Sequence, residues 1–483
     1  MRLYKRIAII ALVLLTTAAF VFASGTQDTS SSSSGSTAMS GAKESPMLAE
    51  MVASGEILPL EERLPENPLV VQVVDSIGKY GGTMRRTYLG PSDGGITRLM
   101  ADGLFRFSID GTEIHPNLAT GYDLSADGRV YTIHLRKGVK WSDGDLFDAD
   151  DMMFWYEDVA LNEELNAAPP KLIVSGGDAG LFEKVDQYTV RITFKEPYAF
   201  FIRTIATPEV STNGFYPFYP EHYLKQFHPK YAGEAAVNKL VEDAGVESWM
   251  ALFSDMSSTF FNPERPVIRP WMVTNSSDSQ RQIAVRNPYY WKVDAEGNQL
   301  PYIDRLVFDL VENTELVLLK ASNGELDFQF RHIKFQDFTL LKENESRGDY
   351  TVYTHAGDRA SDVCLWPNMS VQDEKMNMLM NSMEFKMALS YAIDRDEINE
   401  LMYFGLGTPR AITAIRSEPT FIQANADKYI KYDPATASKL LDELGFDKKN
   451  SEGMRLWPDG ETLFLNLTTA TAWPQMASVG EFL

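Results

Sequence analysis

The sequence predicts an α/β fold, on three observations. Tyr131, Ile133 and Leu135 alternate with Thr132, His134 and Arg136, the period of a half-buried strand. Met152, Trp155, Tyr156 and Val159 then follow at helical spacing. The strand period returns at Tyr188, Val190, Ile192 and Phe194, and no fixed repeat runs through the chain, which excludes a solenoid.

Taken in order, the chain opens MRLYKRIAIIALVLLTTAAFVFASGTQ, with Arg2, Lys5 and Arg6 ahead of an uncharged apolar run from Ile7 to Ala23. A basic start followed by a short apolar stretch reads as a secretory signal peptide over residues 1–23. The run is shorter than the roughly 20 residues a spanning helix needs. Val21 and Ala23 are small enough to flank a cleavage site, so the mature chain is expected to begin near Ser24. Residues 24–45 are rich in Ser, Gly and Thr, with little to bury, and read as a flexible linker. From Pro46 the composition is globular.

The stretch DGRVYTIHLRKGVKWSDGDLFDADD, residues 127 to 151, crowds aspartates around a strand and a helix start. Asp127-Gly128 is a turn joining the strand to the preceding ATGYDLS run as a hairpin. Asp143-Gly144 makes a second turn. Asp148 stands at an N-cap, with Asp150 and Asp151 in the first helical turn, where carboxylates suit the helix dipole. Only Asp145 lacks a backbone role. Downstream, Asp394 and Glu397 form a capping-box pattern ahead of a helix that Gly405 can stop. Asp433 caps a helix with Pro434 at its first position, Leu440, Leu441 and Leu444 inside and Gly445 after it. Thr462, Phe464, Asn466 and Thr468 alternate with Leu463, Leu465 and Leu467 as a strand, and Ala477 to Leu483 begins a further helix.

Composition excludes several function classes. A net charge of −22 argues against nucleic acid as a partner and suits a soluble, monomeric exported protein. Cys364 is the only cysteine, so there is no disulfide framework, and it lies too far downstream to carry lipid at the cleavage site. No nucleophile elbow or phosphate loop occurs. GLGTPR at 405 to 410 follows a helix and not a strand, so it is no dinucleotide fingerprint. His222 and His228 lie six apart, which cannot place both on one helical face for a metal. DAEGNQ at 294 to 299 alternates oxygen donors like a calcium loop, but Gln299 stands where glycine is required and Arg305 where a bidentate Glu is needed, so it reads as a turn. No catalytic residue, metal site or cofactor is assigned.

In sequence order, HPNLATGYDLSADGRVYTIHLRKGVKWSDGDLFDADD, RNPYYW (286–291), NGELD (323–327), ALSYAIDRDEI (388–398) and YDPATASKLLDELGF (432–446) resemble landmarks of the family 5 extracellular solute-binding proteins of ABC importers, the oligopeptide- and dipeptide-binding class. The similarity runs from about residue 46 to the C-terminus. It implies a type II periplasmic binding protein fold of the large cluster: two hinged lobes around a cleft, with an extra domain. On this basis lobe I takes residues 46–95 and 184–302, domain II residues 96–183, and lobe III residues 303–483. Family members continue through the rest of lobe III and back into lobe I. Lobe III is therefore expected to be incomplete here, with unpaired sheet edges, and the acid that holds a peptide's amino group to lie beyond Leu483.

The resemblance implies binding and not catalysis, with peptide as the default ligand, an oligosaccharide or nickel complex as the alternative, and a secreted hydrolase as the contrasting class. The partner is the membrane permease of an ABC importer, and the location periplasmic. Ligand contacts are expected from Tyr88, Gly90, Pro91, Ser92 and Asp93 in the loop after the first strand. Trp366 and Asn368 join them from CLWPNMS, which matches a cleft-facing strand. Trp271 stands where the family's Gly-Pro-Tyr turn would sit, a turn absent here.

N-terminal sequencing of the exported protein should return Ser24 or a neighbour without lipid. A chain still beginning at Met1 in the exported fraction would reject the cleaved leader.

Overall fold

A computed structural model describes residues 43–90, 93, 99, 102–207, 218–355, 361–469 and 474–483. The expected leader and most of the linker lie outside these residues. Along the chain come strands β1 (Leu69–Val71), β2 (Thr83–Tyr88), β3 (Phe105–Phe107), β4 (Ile114–Pro116), β5 (Ala119–Leu124), β6 (Val130–Leu135) and β7 (Val174–Ser175). They are followed by β8 (Asp178–Ala179), β9 (Leu181–Asp186), β10 (Thr189–Thr193), β11 (Trp271–Val273), β12 (Arg281–Arg286), β13 (Lys292–Asp294) and β14 (Arg305–Leu310).

The alternation around Ile133 produces an antiparallel sheet, β5-β6-β10-β9, in which Ile133 faces Val190 and Tyr131 faces Ile192. All four side chains are buried, and with Leu135 and Phe194 they form the floor of the largest apolar core. Trp141, Phe147 and Met152 close over that floor from the segment after β6.

The signature aspartates hold this segment in place. Asp127 accepts from the Ser125 hydroxyl at 2.5 Å and the Arg129 amide at 3.3 Å, closing the β5–β6 turn around Gly128 at φ 72°. Asp148 caps the helix Ala149–Phe154 through the Asp150 amide at 2.8 Å, and Asp151 returns the bond to the Asp148 amide at 3.1 Å. Asp151 also accepts from Trp141 Nε1 at 3.1 Å and the Glu221 amide at 2.9 Å. Burial pushes its carboxyl up to about 7 against those donors. Asp143 pairs with His222 Nε2 at 2.8 Å, and Asp150 with Lys184 at 2.6 Å. Past Phe154 the expected α-helix widens into a π-helix, Trp155–Ala160. The wider turn brings both Trp155 and Tyr156 onto Phe182, at ring-centre distances of 6.1 and 4.5 Å.

A second four-stranded sheet has the order β11-β12-β14-β2, antiparallel except for the parallel pair β14 and β2. Its core is Tyr88, Val273, Ala284, Leu306 and Phe308. The proposed junction between residues 183 and 184 falls inside β9, so one sheet draws on both sides of it. From Thr314 on, the regular elements among the described residues are helical and enclose a small core of Leu379, Phe385, Phe446 and Trp457. The caps at Asp394 and Asp433 form as expected, accepting from the Glu397 and Thr436 amides at 3.0 Å each.

Two expectations here are corrected. Residues 462 to 468 form no strand: among the described residues a single bridge, Leu456 to Thr462, is their only ladder contact, and Phe464 is 64% exposed. Alternation makes a strand only where a neighbour completes the ladder, and no described strand lies beside this one. The last helix is Pro474–Phe482, three residues earlier than expected.

Asp148→Ala should lower the unfolding free energy by about 1 kcal/mol in chemical denaturation. An unchanged midpoint would deny the cap its role.

Candidate functional site

Strand β2 delivers the residues expected to bind ligand. Met84, Arg86 and Tyr88 alternate onto the core face of its sheet, opposite Leu306, Phe308 and Leu310 of β14. Tyr88 is buried, and its hydroxyl donates to the Ser277 carbonyl at 3.3 Å and to the Ser279 carbonyl. It is thus occupied within the sheet. Gly90 turns the chain, its carbonyl accepting from the Asp93 amide at 3.0 Å. Pro91 and Ser92 lie outside the described residues.

Asp93 is buried and engaged. Its carboxylate accepts from the Leu89 amide at 2.7 Å, from His332 Nε2 at 2.8 Å and from Arg331 Nε. Burial alone would raise the Asp93 carboxyl, but Arg331, the Leu89 amide and His332 outweigh it and hold the group below its usual range. Arg331 and His332 come from a segment that runs along the free edge of β2. There the Asp327 amide donates to the Arg85 carbonyl at 3.0 Å, Asp327 Oδ2 accepts from the Arg85 amide at 2.6 Å, and the Gln329 side chain spans the Thr87 amide and carbonyl at 3.3 and 3.4 Å. Asp93 thus clamps the loop after β2 to this segment through both of its oxygens. His332 closes the segment with a left-handed backbone, φ 65°.

Trp271 begins β11, half-buried against the same core, and donates its indole N–H to the Ile303 carbonyl at 3.0 Å. Trp366 and Asn368 sit elsewhere. The segment around them is not a strand; Trp366 is 79% exposed, and the Asn368 side chain accepts from the Ser370 amide at 3.1 Å. Tyr88, Gly90, Asp93 and Trp271 are therefore gathered on one sheet and its loop, while no hydrogen bond or ring contact joins Trp366 or Asn368 to them among the described residues.

Three residues of this region escaped the sequence reading: Arg86, Arg331 and His332. Arg86 carried a signal, a charged side chain at an inward position of an alternating strand. The other two carried none, because their partner Asp93 is 238 and 239 positions away. The histidine pair behaves as expected for packing residues. His222 is paired with Asp143, and His228 is buried among Phe154, Tyr231, Trp249 and Phe253. Asp294 accepts from the Glu296 and Asn298 amides at 2.8 and 2.9 Å, which closes the expected turn. Among the described residues no group of three or more His, Cys, Asp or Glu is placed to hold a metal, and no helix is long and apolar enough to cross a membrane.

The sequence profile of the bacterial extracellular solute-binding proteins, family 5 (middle), matches residues 113–483. The chain belongs to that family. A periplasmic α-galactoside-binding protein of Rhizobium meliloti is 32% identical over 445 residues, 85% of this chain and 60% of that protein. Among solved family 5 structures, an oligopeptide-binding protein OppA superposes with a TM-score of 0.72 at 40% identity, over 86% of this chain and 66% of that one. The binding protein MelB of Agrobacterium fabrum, solved with stachyose, gives 0.63 at 26% identity, over 91% and 67%. The fold is thus the two-lobed α/β architecture of family 5, and this chain spans about 60% of the length of the curated relatives it matches.

Asp93→Asn should cost about 3 kcal/mol of stability at neutral pH, because it leaves Arg331 facing a neutral amide in a largely buried pair. The folded pKa is depressed below the unfolded value of about 3.9, so the charge contributes above that value and its contribution is lost as pH falls through the folded pKa. The difference between wild type and variant, followed by denaturant titration, should therefore close in acid. A difference that is constant from neutral pH down to the acid limit would remove the clamp.

Proposed function

We propose that this chain is the substrate-binding component of an ABC import system, capturing peptides outside the cytoplasmic membrane and passing them to the permease. The observation that carries the reading is the family 5 profile over residues 113–483, together with 40% identity to an oligopeptide-binding protein at a TM-score of 0.72. Its chemistry is binding alone. Lobe I (46–95 and 184–302), domain II (96–183) and lobe III (303–483) close over a ligand in the cleft, and closure is stabilised by the contacts the ligand makes with both walls. The clamp from Asp93 to Arg331 and His332 joins the first lobe to the start of the third beside two of the expected hinges, near 95 and 303. Tyr88 and Asp93 serve this reading as positioning residues behind the cleft wall. Trp271 and the exposed Trp366 offer the rings. Export through a leader cleaved near Ala23 brings the protein to the periplasm as a monomer, where the −25 charge left by loss of the leader's three basic residues keeps it in solution and off nucleic acid.

A second reading is an oligosaccharide ligand. It is favoured by the 32% identity to an α-galactoside-binding protein and by MelB, solved with stachyose. An exposed indole such as Trp366 suits the apolar face of a sugar ring as well as a peptide side chain.

Calorimetric titration with a set of short peptides and with raffinose-type galactosides, followed by mass spectrometry of the ligand, separates these possibilities. Preference for the peptides over the galactosides, with the ligand recovered intact, is the expected result. Preference for the galactosides would install the second reading, and recovered cleavage products would make the protein a hydrolase.

A further inference from the structure

Arg86 is out of place. Its guanidinium is 1% exposed on the core face of β2, and its Nε and Nη1 are buried with no hydrogen-bond partner. Three phenylalanine rings surround it, with the guanidinium carbon 5.4 Å from the centre of Phe308, 5.2 Å from Phe328 and 5.3 Å from Phe330. Ring faces attract the charge, but they are poor acceptors for N–H groups in the guanidinium plane. Burial accordingly pushes the group down to about 10.

The nearest carboxylate does not answer this need. Asp93 lies close enough to favour the charged form of Arg86, but its oxygens are taken by Arg331, His332 and the Leu89 amide. The cluster therefore sets two guanidinium groups and an imidazole against one carboxylate. Buried charges are ordinarily paired, and one that is not marks a missing partner. The cover over Arg86 on one side is thin, since Phe328 and Phe330 are 49% and 48% exposed and their ring centres lie 6.1 Å apart. These two half-exposed rings are the part of the cover that reaches water.

We propose that Arg86, with Phe328 and Phe330 as its movable cover, is a subsite for a small oxyanion, a carboxylate or a phosphate. Planar guanidinium donors match such a group in shape and charge. The oxyanion can be free in solution or be the ionised end of a bound ligand, and the second case rests on the reading of this chain as a ligand-binding protein. In that case the site favours acidic ligands over neutral sugars.

The test uses the full chain and thermal unfolding in succinate and in phosphate, each against sodium chloride at equal ionic strength. A parallel calorimetric arm compares a tripeptide with its C-terminal amide. The expected result is an unfolding temperature that rises saturably with at least one oxyanion, or at least tenfold tighter binding of the free-acid peptide than of its amide. Either response should be absent from Arg86→Met. A response to the salts alone identifies a free anion, and a response to the peptide alone identifies the ligand's carboxylate. Should Arg86→Met fail to fold, Arg86→Lys keeps the charge without the fork: at least tenfold weaker response supports the subsite, and an unchanged response overturns it. A wild-type chain that responds in neither arm, or an Arg86→Met chain that responds as wild type does, also overturns it. Wild type that binds peptide or galactoside but ignores every oxyanion sinks this subsite alone. Wild type that responds to succinate or phosphate but binds neither ligand class sinks the proposed function and leaves the subsite standing.

Discussion

The backbone of β2 has two edges to satisfy, and both partners come from far along the chain. On one side it runs parallel to β14, with Phe308 beside Arg86. On the other it meets a segment that begins at Asp327, 242 positions from Arg85. A parallel pair cannot be closed by a tight turn and needs a long crossover. Here the crossover is long enough to hold the whole β5-β6-β10-β9 sheet and its core. The β5-β6-β10-β9 sheet is therefore inserted into the connection between two neighbouring strands, and the sheet it interrupts is held together by that pairing.

The outer edge of β2 is covered in an unusual way. Asp327 and Gln329 use side-chain oxygen and amide groups where a strand would use its backbone, and only the Asp327 amide makes a true ladder bond to β2. Side-chain mimicry of a ladder leaves the segment free of strand geometry, so within a few residues it can turn through the left-handed His332 and leave the sheet. Asp93 then ties the exit down. Satisfying an edge with side chains, which have rotamers to choose from, permits a direction change that a regular strand does not.

This explains what was and was not legible in the sequence. Asp127, Asp148, Asp394 and Asp433 were readable because each bonds an amide two or three residues away, and local spacing is what a sequence displays. The partners of Asp93 were not legible, for the opposite reason. Asp93 lies in the loop that the family resemblance places in the cleft, but its partners arrive from beyond residue 330, and nothing local announces them. The same holds for Tyr88, whose hydroxyl donates to carbonyls about 190 residues on. The strand expected at 462 to 468 failed similarly: alternation records which faces differ, whereas a ladder requires a neighbour that the segment itself cannot specify. Pattern thus recovered the fold class and the turns, while the roles of the site residues depended on contacts made across the chain.

The same distance argument bears on how such a protein is able to move. Strand β2 belongs to the β11-β12-β14-β2 sheet, and residues 327–332 lie among the helical elements that follow β14, so the Asp93 clamp joins parts of the chain expected to rotate against each other. A contact between moving bodies survives best when it lies on the axis, where displacement is smallest. Asp93 is buried, charged and shared by three donors, an arrangement that tolerates rotation about itself far better than separation. Arg86, two positions before Tyr88 on the same strand, has donors unused. An anion bound there as proposed would displace Phe328 and Phe330, which belong to the same segment that Asp93 holds through Arg331 and His332.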